Sequence, residues 1–126
     1  MPSRPLMILA AAWMGVAGLL LTFAPQELLE AARIPAETTA VLAAQIAGAA
    51  CFGFALTNWM ARGTAIGGIY QRPLAIGNFA HFLIAALALL KALRGASPST
   101  THVVLVLVYA LFAIAFGRIL FFSPKS

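Results

Sequence analysis

Charge is what this chain most lacks. Only 9% of its 126 residues are charged and 63% are apolar, against roughly 25% and about 45–50% in an ordinary soluble domain. A soluble domain of this size must cover most of its surface with polar side chains, and the supply here is too small. The composition excludes a soluble enzyme, a nucleic-acid-binding module and a disordered segment. It leaves a single integral membrane domain spanning 1–126.

Further absences narrow the chemistry. The three acidic residues, Glu27, Glu30 and Glu37, all fall in one connection. No apolar window therefore holds the embedded carboxylate that a small drug–proton antiporter uses as its proton carrier. No helix carries the run of hydroxyl residues of a small fluoride channel. Cys51 is the only cysteine, so no internal disulfide forms, and its neighbours Ala50 and Phe52 suit an inert buried thiol. A zinc site needs three or four clustered ligands, and none is visible. A bis-histidine haem needs ligands at matching depth, but His81 is deep while His102 starts the fourth span at the opposite surface. The eight basic residues give a net charge of +5, yet they are scattered singly, with no basic run to track phosphates.

What remains is four charge-free windows: 5–26, 38–61, 73–90 and 95–117. A helix needs about 20 residues to cross a ~30 Å hydrocarbon core. In lipid the backbone must satisfy its own hydrogen bonds, and no strand-like alternation is present, so the windows are helices. The third is the shortest, and Lys91 can snorkel from its end. The predicted fold is an all-α bundle of four transmembrane helices, over approximately 5–25, 38–61, 73–93 and 101–122. The connection between the first two spans predicts a short interfacial helix over Gln26–Arg33, with Pro25 at its start and Pro35 beyond its end. The first window is too long for a signal-peptide core, and Pro25 suits cleavage poorly, so it is read as a retained span. No internal repeat is evident.

Basic residues set the expected orientation. With the N-terminus cytoplasmic, that side receives Arg4, Arg62, Arg72, Arg118 and Lys125, and the other receives Arg33, Lys91 and Arg94. The bias favours both termini in the cytoplasm, with the inner membrane of a bacterium as the expected location. Small-xxx-small spacings at Ala40/Ala44/Gly48, Ala49/Gly53 and Ala11/Gly15 suit close helix packing, within the bundle or between copies.

The densest polar region runs from Asn58 to His81. Asn58 and Arg62 are four apart, and Asn78 and His81 three apart, so each pair shares a helix face. Tyr70 and Arg72 lie in and beside the connection that folds these helices together. Asn58, Arg62, Tyr70, Arg72, Asn78 and His81 are the candidate ligand-binding set, expected to line one pocket near the cytoplasmic side. His81 sits eight residues past Pro73, or about 12 Å along a helix. Polar groups at such depth point to function by default. The competing structural reading makes Asn78 and His81 an interhelical hydrogen-bonded pair, and Trp59 with the arginines headgroup anchors. Gln45 and Tyr109 are further embedded polar residues, and Arg118 either snorkels or points into the same pocket.

The four spans, the segment Gly15-Val16-Ala17-Gly18, the run Gly67-Gly68-Ile69-Tyr70-Gln71-Arg72-Pro73 leading to Asn78-Phe79-Ala80-His81-Phe82, and the closing Phe116-Gly117-Arg118-Ile119-Leu120 resemble the small DoxX-like membrane proteins of bacteria. Some DoxX-like members are similar to small subunits of quinone-linked oxidoreductases. That resemblance, with the polar cluster, leads to an accessory or binding protein for a lipid-like or quinone-like molecule, or for a partner membrane subunit. Arg62 and Arg72 would hold an anionic headgroup, and Asn78 and His81 a deeper polar atom. No catalytic residue, metal or tightly held cofactor is assigned, a quinone being the one cofactor candidate. The alternatives are a small transporter or channel working as a homo-oligomer and, third, a membrane enzyme using His81 as acid or base.

Overall fold

A computed structural model describes residues 3–63, 71–94 and 99–122. Among these there are five helices: α1 (Ser3–Phe23), α2 (Pro25–Ala31), α3 (Thr38–Met60), α4 (Gln71–Leu93) and α5 (Thr100–Phe122). α1, α3, α4 and α5 are each long and apolar enough to cross a membrane. Their outward faces carry large apolar side chains, such as Ile84 at 65% and Leu111 at 66% exposure. A helix apolar all round belongs in lipid or a large core, and a bundle this small has no such core. The chain is an integral membrane protein built as a four-helix transmembrane bundle.

The helix ends follow from local chemistry. Pro5 and Pro73 lie inside the first described turns of α1 and α4, where the missing N–H has no intrahelical partner to lose. α1 ends at Phe23 because Ala24 precedes a proline and leaves the helical region, with φ −133° and ψ 48°. Pro25 then opens α2. The predicted Gln26–Arg33 helix is shifted to Pro25–Ala31 and closes in a Schellman motif. The Ile34 amide donates to the Leu29 carbonyl at 2.8 Å and the Arg33 amide to that of Glu30 at 3.0 Å. Arg33 takes the left-handed position, at φ 59°, where glycine is usual. Ser99 caps α5, its Oγ accepting the His102 amide N–H at 3.1 Å.

Residue pairings show an up-down-up-down bundle. Gly15 lies against Ala55 and Gly18 against Gly48, so α1 and α3 run antiparallel. Asn58 meets Asn78 across α3 and α4. Phe82 meets Phe112 and Phe116, and Phe79 meets Phe121, across α4 and α5. The backbones approach most closely within two pairs, α1/α3 and α4/α5. In the first pair, a Cβ on Gly18 would stand 2.8 Å from the Gly48 carbonyl oxygen and 2.9 Å from the Phe52 nitrogen. Only glycine permits this approach, the membrane form of small-residue packing. The Ala49/Gly53 spacing does not serve it: both residues are exposed, and a Cβ at Gly53 would meet nothing within 4 Å. In the second pair aromatic rings replace glycine as the filling.

Between the two pairs runs a seam occupied by large side chains. Met7, Met14, Phe82 and Phe116 are almost fully buried there, with Cys51, Tyr109, Trp13 and Phe54 in the same core cluster.

Candidate functional site: a polar seam at mid-span

The seam holds the two fully buried asparagines of the bundle. Asn58 and Asn78 are both wholly buried and form a reciprocal amide pair. Asn58 Nδ2 donates to Asn78 Oδ1 at 2.8 Å, and Asn78 Nδ2 to Asn58 Oδ1 at 2.6 Å. Each amide carries a second N–H. That of Asn78 reaches the Leu74 carbonyl at 2.9 Å, and that of Asn58 the Met14 Sδ at 3.9 Å. All four donors are used, so the pair ties α3 to α4 and touches α1. The structural pairing expected for Asn78 with His81 is made by Asn58 instead.

His81 sits one turn deeper on α4. It is the eleventh of the 23 residues of that helix, at the centre of the span. Its ring stacks on Phe54 with centroids 5.4 Å apart, meets Phe82 at 5.1 Å and Tyr109 at 5.8 Å. Trp13, midway along α1, meets the other side of the cluster, edge-on to Tyr109 at 6.0 Å. Tyr109 thus lies between Trp13 and His81. Both His81 Nε2 and Trp13 Nε1 are buried without a hydrogen-bond partner at bonding geometry. An unsatisfied buried polar atom costs about 1–3 kcal/mol, and two in one aromatic cluster call for an explanation.

The arrangement has a definite chemical capacity. The indole N–H only donates, whereas the imidazole Nε2 donates or accepts according to its tautomer. An acceptor oxygen would satisfy the indole N–H, and a carbonyl or hydroxyl oxygen the imidazole nitrogen. Phe54, Phe82 and Tyr109 supply flat apolar walls.

The other sequence candidates do not converge on this point. Arg62 lies beyond the end of α3. Its guanidinium lies over the Trp59 ring, 3.9 Å from the centroid, and donates to the Trp59 carbonyl. Trp59 itself is 48% exposed, so the two form an outward anchor. Arg72 is exposed in the first turn of α4, and Arg118 is exposed near the end of α5. Tyr70 lies outside the described residues. Gln45 is exposed on α3 and donates from Nε2 to the Thr22 carbonyl at 3.3 Å. His102 Nε2 lies 2.9 Å from the Leu89 carbonyl oxygen, eight residues along α4 from His81 and so about 12 Å away along that helix.

Sequence reasoning passed over Trp13, and the signal was present. Tryptophan favours the membrane interface, and Trp13 stands at the middle of its span. Among the described residues, no group of three or more His, Cys, Asp or Glu could hold a metal ion. No family model, curated protein or solved structure matches the chain.

Proposed function

We propose that this is a small accessory protein of the DoxX-like kind, without an enzymatic reaction of its own, in the inner membrane of a bacterium with both termini cytoplasmic. It holds a lipid-like or quinone-like molecule whose polar head enters the seam between the two helix pairs. The observation that carries this reading is the pair of unpartnered buried nitrogens, Trp13 Nε1 and His81 Nε2, on either side of Tyr109 in an aromatic cluster. A quinone offers two carbonyl acceptors. Its reduced form offers hydroxyls, which the other His81 tautomer accepts. Asn58 and Asn78 act as a brace, because their donors are already used. A homo-oligomer or a partner membrane subunit has a natural seat on the exposed Ala49/Gly53 stripe of α3. The transporter or channel reading uses that same stripe.

The test is native mass spectrometry of protein released from mild detergent, followed by titration with a short-chain quinone. The expected result is a co-purifying or added quinone mass that His81→Phe removes and Arg72→Gln retains. A clean protein whose Trp13 emission is unchanged by the quinone, in a Trp59→Phe background, refutes the reading.

A further inference from the structure

The α1/α3 pair carries a second concavity, away from the polar seam residues. It is an open groove of about 310 Å³ lined by Ile8, Ala11, Ala12, Ala55, Leu56 and Trp59. That volume lies at the lower end of the ~300–1,000 Å³ range of ligand sites. The alanines lower its floor, and no polar side chain interrupts it apart from the Trp59 ring.

Both lining stripes run to an arginine. On α1, positions 8, 11 and 12 continue one turn back to Arg4, since residues four apart share a face. On α3, positions 55, 56 and 59 lead into the turn that holds Arg62. The helices are antiparallel, with Gly15 against Ala55 and Gly18 against Gly48, so both arginines stand at the same end of the groove. The Arg62 guanidinium is held there by the Trp59 ring and carbonyl. One of its five N–H donors goes to that carbonyl, and the remainder of the fork suits an oxyanion. The three carboxylates of the chain all lie in the connection at the opposite end of the pair.

We infer that this groove binds one acyl chain of an anionic glycerophospholipid, with the phosphate at Arg4 and Arg62. Charge complementarity sets the choice: an apolar slot capped by two cations selects an anionic lipid over a zwitterionic one. The site is independent of the seam.

The test uses Trp59 as reporter. In a Trp13→Phe background, Trp59 is the only tryptophan. The protein is reconstituted into phosphatidylcholine vesicles containing either brominated phosphatidylglycerol or brominated phosphatidylcholine. The expected result is stronger quenching by the anionic lipid at equal mole fraction. Arg62→Gln should weaken that preference about fivefold, the usual effect of one cation near the surface, and Ala12→Phe should abolish it by filling the groove. Equal quenching by both lipids overturns the inference. Preference lost in Arg62→Gln but kept in Ala12→Phe also overturns it, because the anion then sits in the general lipid shell. Native mass spectrometry of the otherwise unaltered chain and Arg62→Gln, counting retained phosphatidylglycerol, gives the same decision if Trp13→Phe fails to fold. Failure here leaves the quinone titration unaffected, so the two readings fall separately.

Discussion

Replacing one member of the Asn58–Asn78 pair should hurt more than replacing both. An interhelical hydrogen bond in a membrane contributes about 0.6 kcal/mol on average and up to about 1.7 kcal/mol. The pair makes two, at 2.8 and 2.6 Å. Asn58→Leu removes both and leaves one Asn78 N–H and its Oδ1 without their partner in a fully buried position. That orphaning adds roughly 1–3 kcal/mol, so the single variant should lose about 2–4 kcal/mol. Asn78→Leu should do the same to Asn58. The double variant has no orphan, and two leucines of similar volume fill the gap, so it should lose no more than either single. The coupling in a double-mutant cycle should then be on the order of 2 kcal/mol or more, measured by reversible unfolding in mixed micelles with helicity as the signal. Additive losses would refute the reciprocal pair and return Asn78 to the ligand-binding set.

The glycines of α1/α3 give a sharper contrast. Gly18→Ala and Gly48→Ala each push a Cβ to 2.8–2.9 Å from backbone or Thr22 Oγ1, so each should lose about 1–3 kcal/mol. Gly53→Ala meets open space and should gain up to ~1 kcal/mol from helix propensity, in the same unfolding assay. Ser99→Ala removes the α5 cap and should cost about 1 kcal/mol, read as faster amide exchange in the first turn of α5. Cys51 is 4% exposed, so a membrane-permeant maleimide should label it only as fast as the bundle opens. Rapid labelling in the folded state would contradict its place in the core.

Much of the architecture was legible in the sequence because the membrane simplifies the reading. Charge-free windows of sufficient length admit one solution, and four helices long and apolar enough to cross a membrane occupy those windows. The site was less legible. The rule that residues four apart share a face placed Arg62 beside Asn58, but α3 stops at Met60. Arg62 therefore lies in a turn and bends back to Trp59. Same-helix spacing also suggested Asn78 with His81. Pairing Asn78 with Asn58 instead requires the register between two helices, which no local pattern contains. Trp13 was hidden in an apolar run, where spacing cannot separate a lipid-facing ring from a buried one. The same limit applies to the small residues: Gly48 and Gly53 look alike in sequence, yet only Gly48 faces another backbone.

The division into two tight pairs explains why polar side chains are buried where they are. Glycine lets α1 and α3 touch along their backbones, and that contact leaves no room for a guest between the two backbones at Gly18 and Gly48. α4 and α5 are filled by Phe79, Phe82, Phe112 and Phe116, which leaves no room either. The pairs themselves meet mainly through long side chains, so their backbones stay farther apart. A gap spanned by side chains is a place where polar atoms can be buried without displacing a helix. Asn58 and Asn78 close it near one end and fix the register of the pairs. One turn deeper, His81 Nε2 and, beside Tyr109, Trp13 Nε1 lack a partner at bonding geometry. Had these positions served packing alone, phenylalanine would fill them without leaving an orphaned nitrogen. Two unpartnered nitrogens in the most apolar part of the molecule are therefore what the proposed polar guest would satisfy.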